Sequence, residues 1–460
     1  MRTRPLLIGA LALGACLRAS RIPARWDEVS WLYAAYYAPT VDALRAGDWG
    51  SALGFVGLHP PLYSLLHAAV ELIWPAPVVW LTLSAICSLG AVAWVSRAGR
   101  SPAEGALAAW VLALGPVQLA YAAEVNNYPL TVMVIAAVMA GRQRVLDGGG
   151  VGLLALAGAA ACWTHGLAGW VAGLCALSCG RRGLPALVAM ALACAPLAPE
   201  ILALVGDDNT YKQPPVLPGA MLWEYGARFG WLGLALLPFG AVGARRRPAL
   251  GAIWAATAAL IVGLQVSHIA APHQYPYHLA LGALGAPLVA AGVGITRARS
   301  GAAVVGVVAL LQGLSMGALD ARGFIDARRT PDRAMAAALA AAGPEDAIYL
   351  VAPSWTDDDD KRLTSKPLRR LSMWAPLPAV TPYDFDYADF RHGQPRRSGD
   401  TTLYVVDWPR REVLQAAAAH ERLFVVVDQP RDDLRYTSEL AARLGVEPVV
   451  YEQQLLFVVE

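Results

Sequence analysis

Long apolar runs separated by short polar turns fill the first 320 positions, and the last 140 change character. The runs fall at roughly 5–20, 77–96, 103–122, 128–141, 151–163, 167–179, 184–204, 229–244, 249–267, 278–296 and 301–319. Such runs read as transmembrane helices, since about 20 residues cross a hydrocarbon core. The three between 128 and 179 are shorter, and the split at Thr164-His165-Gly166 is the one that the flanking arginines require. Beyond 320, β-like runs (AIYLVA, TLYVVD, RLFVVVD, EPVVY and LLFVVE) interleave with helical stretches over 332–342, 410–420 and 432–444. That alternation predicts a small α/β domain with a partly parallel sheet. The expected fold is mainly α: a polytopic bundle of about 11 transmembrane helices over 1–320, then a soluble α/β domain over 321–460.

Charge sharpens the division. Residues 321–460 hold 18 Lys/Arg and 22 Asp/Glu, leaving 19 and 13 for the first 320. Six basic clusters (Arg2/Arg4, Arg97/Arg100, Arg142/Arg144, Arg181/Arg182, Arg245–Arg247 and Arg297/Arg299) fall on one side and hold 13 of those 19 residues. The positive-inside rule makes that side the cytoplasm of a plasma membrane. Eleven spans then place the C-terminal domain outside the cytoplasm, and the first span reads as an uncleaved helix rather than a signal peptide. A net charge of +2 gives no reason to expect a nucleic-acid partner. The six cysteines lie in or beside apolar stretches, without metal-binding spacing, and read as small buried hydrophobes. The tail carries no GxGxxG or P-loop; Asp357–Asp360 reads as a solvated loop, and Asp384-Phe385-Asp386 alone does not make a metal site.

Polar chemistry gathers on the opposite, outer side. Of the 13 acidic residues before 321, only Glu104 and Asp147 fall on the arginine side, and all six histidines of the body (His59, His67, His165, His268, His273 and His278) fall on the other. Ionisable groups at one end of a helix bundle point to a site there. The first outer loop carries Asp27-Glu28, then Trp31, Tyr33, Tyr36 and Tyr37, and about thirty residues later His59-Pro60-Pro61-Leu62-Tyr63. A carboxylate so placed is suited to take a proton from a substrate hydroxyl or amine. The same residues also suit a solvated turn followed by a Pro-Pro loop.

Asp27-Glu28 in an aromatic loop, followed by HPPLY leading an apolar helix, resembles the GT-C superfamily of membrane glycosyltransferases. The likeness is to the protein O-mannosyltransferase and lipid A aminoarabinose transferase branch. YAAEVNNYPL at 121–130, WTHGLAGW at 163–170 and HQYPYHLALGALGAPLVAAG at 273–292 follow in the order that the branch shows. The resemblance implies a polyprenyl-phosphate sugar donor and transfer to a protein, glycan or lipid acceptor in one inverting displacement. It implies Asp27 as base, with Glu28 and Glu124 positioning the acceptor or the base. Where the branch has arginines, this chain has Asn126 or Asn127 and Gln274-Tyr275. Candidate phosphate ligands are therefore Arg21, Arg25, Lys212, Arg228, His59, His165, His273 and Tyr275. His165 fits a helix-capping role equally well. No cofactor is firmly implied, although a divalent cation would suit the departing phosphate. A transporter or flippase, and a noncatalytic receptor with the tail as binding module, are the alternatives. No paired repeat of the transporter kind is evident.

Overall fold

The computed structural model describes residues 3–19, 37–55, 59–74, 77–200, 236–266, 277–294, 307, 333–351, 396–398, 401–406, 411–428, 440–451 and 454–459. The chain forms two compact units, Met1–Ala327 and Arg328–Glu460.

In the first unit, α1 (Thr3–Ala19) is followed by the short α2 (Ala38–Arg45) and α3 (Trp49–Ala52), then α4 (Leu62–Ile73) and α5 (Pro77–Val95). Next come α6 (Pro102–Ala113), α7 (Pro116–Ala120), α8 (Tyr128–Leu146), α9 (Gly152–Cys162), α10 (Gly166–Leu177) and α11 (Leu184–Cys194). After an interval, α12 (Leu237–Arg246), α13 (Pro248–Val266) and α14 (His278–Val293) complete the described helices. Among the described residues, Tyr128–Leu146, Gly180–Glu200 and Pro248–Val266 are long and apolar enough to cross a membrane. Glycine lets backbones meet: Gly243 of α12 lies against the Leu288 carbonyl, and Gly292 of α14 against that of Phe239.

Two runs differ from the expectation. The run 103–122 is not one helix, because Pro116 holds the preceding Gly115 in an extended conformation (φ −59°, ψ 122°) and lacks a donor itself. The run 128–141 continues to Leu146, giving a 19-residue helix. Apolarity falls at Arg142, but its Nε donates to Ser178 Oγ at 2.6 Å and the helix is not interrupted. It stops at Gly148, whose φ of 87° a side chain would strain.

Four of the basic clusters meet at one end of this bundle. Arg100 donates to the Arg246 carbonyl (3.2 Å), and Arg246 donates to that of Ala291 (2.8 Å). Arg142 reaches Ser178, which stands just before Arg181 and Arg182. Arg247 is 3% exposed and binds the Ala98 carbonyl, Glu104 and Gln143 together. The two acidic residues of this end are both engaged in it: Glu104 with Arg247, and Asp147 with Gln143 at 2.8 Å.

The second unit is built on a six-stranded sheet ordered β2-β3-β1-β4-β6-β5. The strands are β1 (Ala347–Val351), β2 (Arg396–Ser398), β3 (Thr401–Val406), β4 (Leu423–Asp428), β5 (Val449–Tyr451) and β6 (Gln454–Val459). The central β1 runs parallel to β3 and β4, and the outer pairings are antiparallel. Alternate residues of the central strands enter two cores. Ile348, Leu350, Phe424 and Val426 pack with Ala334 and Ala338 of α15 (Arg333–Ala341). Tyr349, Val425, Val427 and Phe457 pack with Ala417 of α16 (Arg411–Ala417) and with Leu440. Helices on both faces explain why β1 is apolar at every position. The 432–444 stretch is described only from residue 440, where it is helical to 444, and Asp357–Asp360 and Asp384–Asp386 lie outside the described residues.

Asp346, just before β1, accepts from the Gly343 amide (2.6 Å) and from Arg422 through Nε (3.2 Å) and Nη2 (2.6 Å). Arg422 holds its carboxyl below the usual carboxylate range. The folded form therefore keeps the negative charge at a pH where the unfolded chain takes a proton. This contribution is complete above the ordinary aspartate range and is lost as pH falls through the lowered folded value. Asp346→Asn is expected to cost about 1–3 kcal/mol at neutral pH, with faster hydrogen exchange at β1 and β4 amides of the full-length protein. The gap between the variant and the parent should close on acidification.

Candidate functional site

Three turns carrying the quoted motifs meet at the end of the bundle away from the arginines. The first is His59-Pro60-Pro61, which leads into α4. Its following amide, Leu62 N–H, donates to the Trp163 carbonyl at 2.9 Å. The second is the 121–127 turn between α7 and α8, where the Asn127 side chain donates to the Thr164 carbonyl at 3.0 Å. The third is Thr164-His165 itself, between α9 and α10. Both contacts thus land on the carbonyls just before His165.

An aromatic cluster fills the junction. The His59 ring lies 5.5 Å from that of His165 and 6.1 Å from that of Tyr128. Tyr128 lies 6.1 Å from His165 and 6.4 Å from Tyr121. Tyr277, just before α14, meets His165 edge-on at 5.6 Å. Glu124 stands in the turn between the two clustered tyrosines and is 9% exposed. Its carboxylate is within electrostatic range of the Tyr63 hydroxyl, which lies 2.6 Å from Ser84 Oγ. Tyr63 in turn packs edge-on against Tyr37 at 5.3 Å, and Tyr37 stacks on His67 at 4.7 Å.

Burial keeps both site imidazoles neutral. The His59 value is pushed down to about 4. That of His165 falls to about 3, through burial and then through its neighbour His59. His165 caps α10, its Nδ1 accepting from the Leu167 amide at 3.1 Å. In a neutral ring that leaves Nε2 as the N–H donor. The capping role and a place in the site are therefore compatible. Two neutral rings provide hydrogen-bond donors but no positive charge for a phosphate at neutral pH. Among the described residues no group of three or more His, Cys, Asp or Glu side chains is placed to hold a metal ion.

The structure thus brings His59 and His165 together, with Glu124 in the adjoining 121–127 turn. Asp27, Glu28, Arg21, Arg25, Lys212, Arg228, His273 and Tyr275 lie outside the described residues. Tyr121, Tyr128 and Tyr277 join the site without having been singled out from the sequence. Each stands in a quoted motif, and aromatic rings beside a buried acid were the available signal.

Tyr128 and Arg142 are fourteen residues apart on α8, or about 21 Å at the rise of a helix, so the turns and the arginine-rich end lie at opposite ends of this helix. The three turns satisfy one another by the hydrogen bonds above.

Neither a family model nor a curated protein sequence matches the chain. Solved structures do. ArnT from Cupriavidus metallidurans in the apo state aligns with a TM-score of 0.57 at 13% identity, over 100% of this chain and 99% of that one. The same protein bound to undecaprenyl phosphate aligns at 0.52 and 12%, over 99% and 97%. At such identities the likeness concerns the fold. Along its whole length the chain is similar in architecture to ArnT.

Proposed function

We propose that the chain is an integral membrane glycosyltransferase that moves a sugar from a polyprenyl-phosphate donor to an acceptor hydroxyl or amine. The observation that carries this reading is the meeting of His59 and His165, with Glu124 in the adjoining turn, at one end of an ArnT-like bundle. The structural neighbour solved with undecaprenyl phosphate supports the donor class. A receptor has no need to gather these groups. A transporter would be expected to show charged groups at the midplane of matched halves.

In this route the acceptor oxygen or nitrogen attacks the anomeric carbon as Asp27 takes its proton. The bond from that carbon to the phosphate oxygen breaks, and the polyprenyl phosphate leaves with the electron pair. One displacement inverts the anomeric centre. Glu28 and Glu124 orient the acceptor and the base, while His165 Nε2–H and the clustered tyrosines offer donors to the sugar or phosphate. A divalent cation would be a second way to neutralise the leaving phosphate, but His165, whose Nδ1 already accepts from the Leu167 amide, offers it no lone pair in this tautomer.

Binding tests the donor class. Purified protein in nanodiscs should retain undecaprenyl phosphate in native mass spectrometry and prefer it to undecaprenol; equal retention of the two contradicts a phosphate site. In this reading the site and the C-terminal unit face outside the cytoplasm, which the arginine-rich end, taken as cytoplasmic, supports. Cysteines at positions 148 and 394 of a cysteine-free variant should therefore react oppositely with an impermeant thiol reagent. Labelling at 394 only after the membranes are opened would reverse that assignment.

A further inference from the structure

The first helix reads TRPLLIGALALGACLRA, and Arg18 is 1% exposed within it. Its Nε donates to Ser88 Oγ of α5 at 2.8 Å. Its Nη1 donates to the carbonyls of Gly14 (3.1 Å) and Ala113 (3.2 Å), the latter at the end of α6. Gly14 makes the room, since a Cβ there would stand 3.3 Å from Nη1. Among the described residues Nη2 is buried with no hydrogen-bond partner, and no carboxylate pairs with Arg18.

Arg247 shows what a satisfied buried guanidinium looks like in the same bundle. It is nearly as enclosed, yet both its Nη1 and its Nη2 are bonded, to Glu104, Gln143 and the Ala98 carbonyl, and it leaves no buried nitrogen without a partner. Two carbonyls and a hydroxyl offset only part of the cost of dehydrating a cation, and an uncompensated charge at this depth is expensive. Such a group is retained where an anion completes it.

Its position says which anion. Ser88 and Ser84 are four residues apart on α5, hence one turn apart on one face. Ser84 holds the Tyr63 hydroxyl, and Tyr63 senses Glu124. Through Ser88, Arg18 therefore sits about one helical turn, or about 5 Å along α5, from the Ser84 that holds Tyr63 of the HPPLY segment. Both segments where the resemblance expects arginine carry Asn126, Asn127 and Gln274 instead, and both site histidines are neutral.

We propose that the buried Arg18 guanidinium is the anion ligand of this site, its Nη2 edge taking a phosphate oxygen of the polyprenyl-phosphate donor from within the bundle. The inference rests on the donor class proposed above and adds the residue that binds its charge. A charge-assisted hydrogen bond fixes the phosphate more strongly than a neutral donor does.

The test uses the full chain in phosphatidylcholine nanodiscs and three probes: undecaprenyl phosphate, undecaprenol and inorganic phosphate. In the parent protein undecaprenyl phosphate should bind more tightly than undecaprenol, and inorganic phosphate should not displace it at millimolar concentration. Arg18→Gln should weaken undecaprenyl phosphate by about tenfold to a hundredfold and leave undecaprenol unchanged, a selectivity that a merely structural arginine would not produce. Gly14→Ala, which crowds Nη1 without removing the charge, should act in the same direction by about threefold, and it carries the test where Arg18→Gln does not fold. Undecaprenyl phosphate binding unchanged in whichever variant folds overturns the assignment. If the parent itself does not distinguish the phosphate from the alcohol, the donor reading fails instead. Displacement by inorganic phosphate would mark a free-anion site rather than a lipid one, and would also overturn the proposal.

Discussion

Asp27→Asn is expected to lower sugar transfer by about 10²–10⁴-fold, the usual contribution of a general base. The amide keeps the size and hydrogen-bonding reach of the carboxylate but takes no proton at neutral pH. Undecaprenyl phosphate should still bind, because in this account the phosphate is held by Arg18 and not by the base. Glu28→Gln should cost less, as an orienting group. The comparison is made at equal amounts of folded protein, since a loop carboxylate also serves structure. Transfer by Asp27→Asn at the parental rate would move the base elsewhere, and Glu124, already buried in the cluster, is then the next residue to replace.

The second large effect is on the fold. Arg247→Met is expected to destabilise the bundle by about 3–5 kcal/mol, the cost of leaving one partner of a buried ion pair alone. Total stabilities of domains are about 5–15 kcal/mol, so the yield of folded protein should fall steeply. Arg247 holds the Ala98 carbonyl by two hydrogen bonds of 3.0 Å, Glu104 at 2.7 Å and Gln143 at 2.7 Å. It thereby joins the α5–α6 turn, the start of α6 and the last turns of α8. Adding Glu104→Gln to Arg247→Met should recover part of the loss, because the orphaned carboxylate is then gone. A melting temperature in detergent equal to that of the parent would show that the network contributes nothing measurable.

Much of this was legible in the pattern of residues. Apolar length and arginine placement mark the helices, and the β runs of the tail match β1, β3, β4, β5 and β6 within a residue or two. The motifs around His59, Glu124 and His165 pointed to turns that the structure brings together. The misses have physical reasons. Hydropathy ends α8 at its first arginine, whereas the backbone ends it only where Gly148 adopts a positive φ. The break at Gly115-Pro116 was visible as a helix-stopping pair inside an otherwise uniform run. Strand β2 (Arg396–Ser398) has no apolar alternation to reveal it and exists by pairing with β3. Arg18 was a charge inside an apolar helix, a signal easily passed over because the sequence does not show which side chains surround it. The convergence of the clustered tyrosines depends on helix packing between segments up to 156 positions apart and had no local signature.

Incubation of membranes containing the protein with a panel of radiolabelled polyprenyl-phosphate sugars tests the central claim most directly. The account predicts that at least one donor passes its label to a membrane-associated or extracytoplasmic acceptor, that polyprenyl phosphate is released in equal amount, and that membranes with the Asp27→Asn variant transfer little. Absence of protein-dependent transfer from every donor, with undecaprenyl phosphate nonetheless bound, would contradict it and leave a lipid-binding protein with an ArnT-like fold.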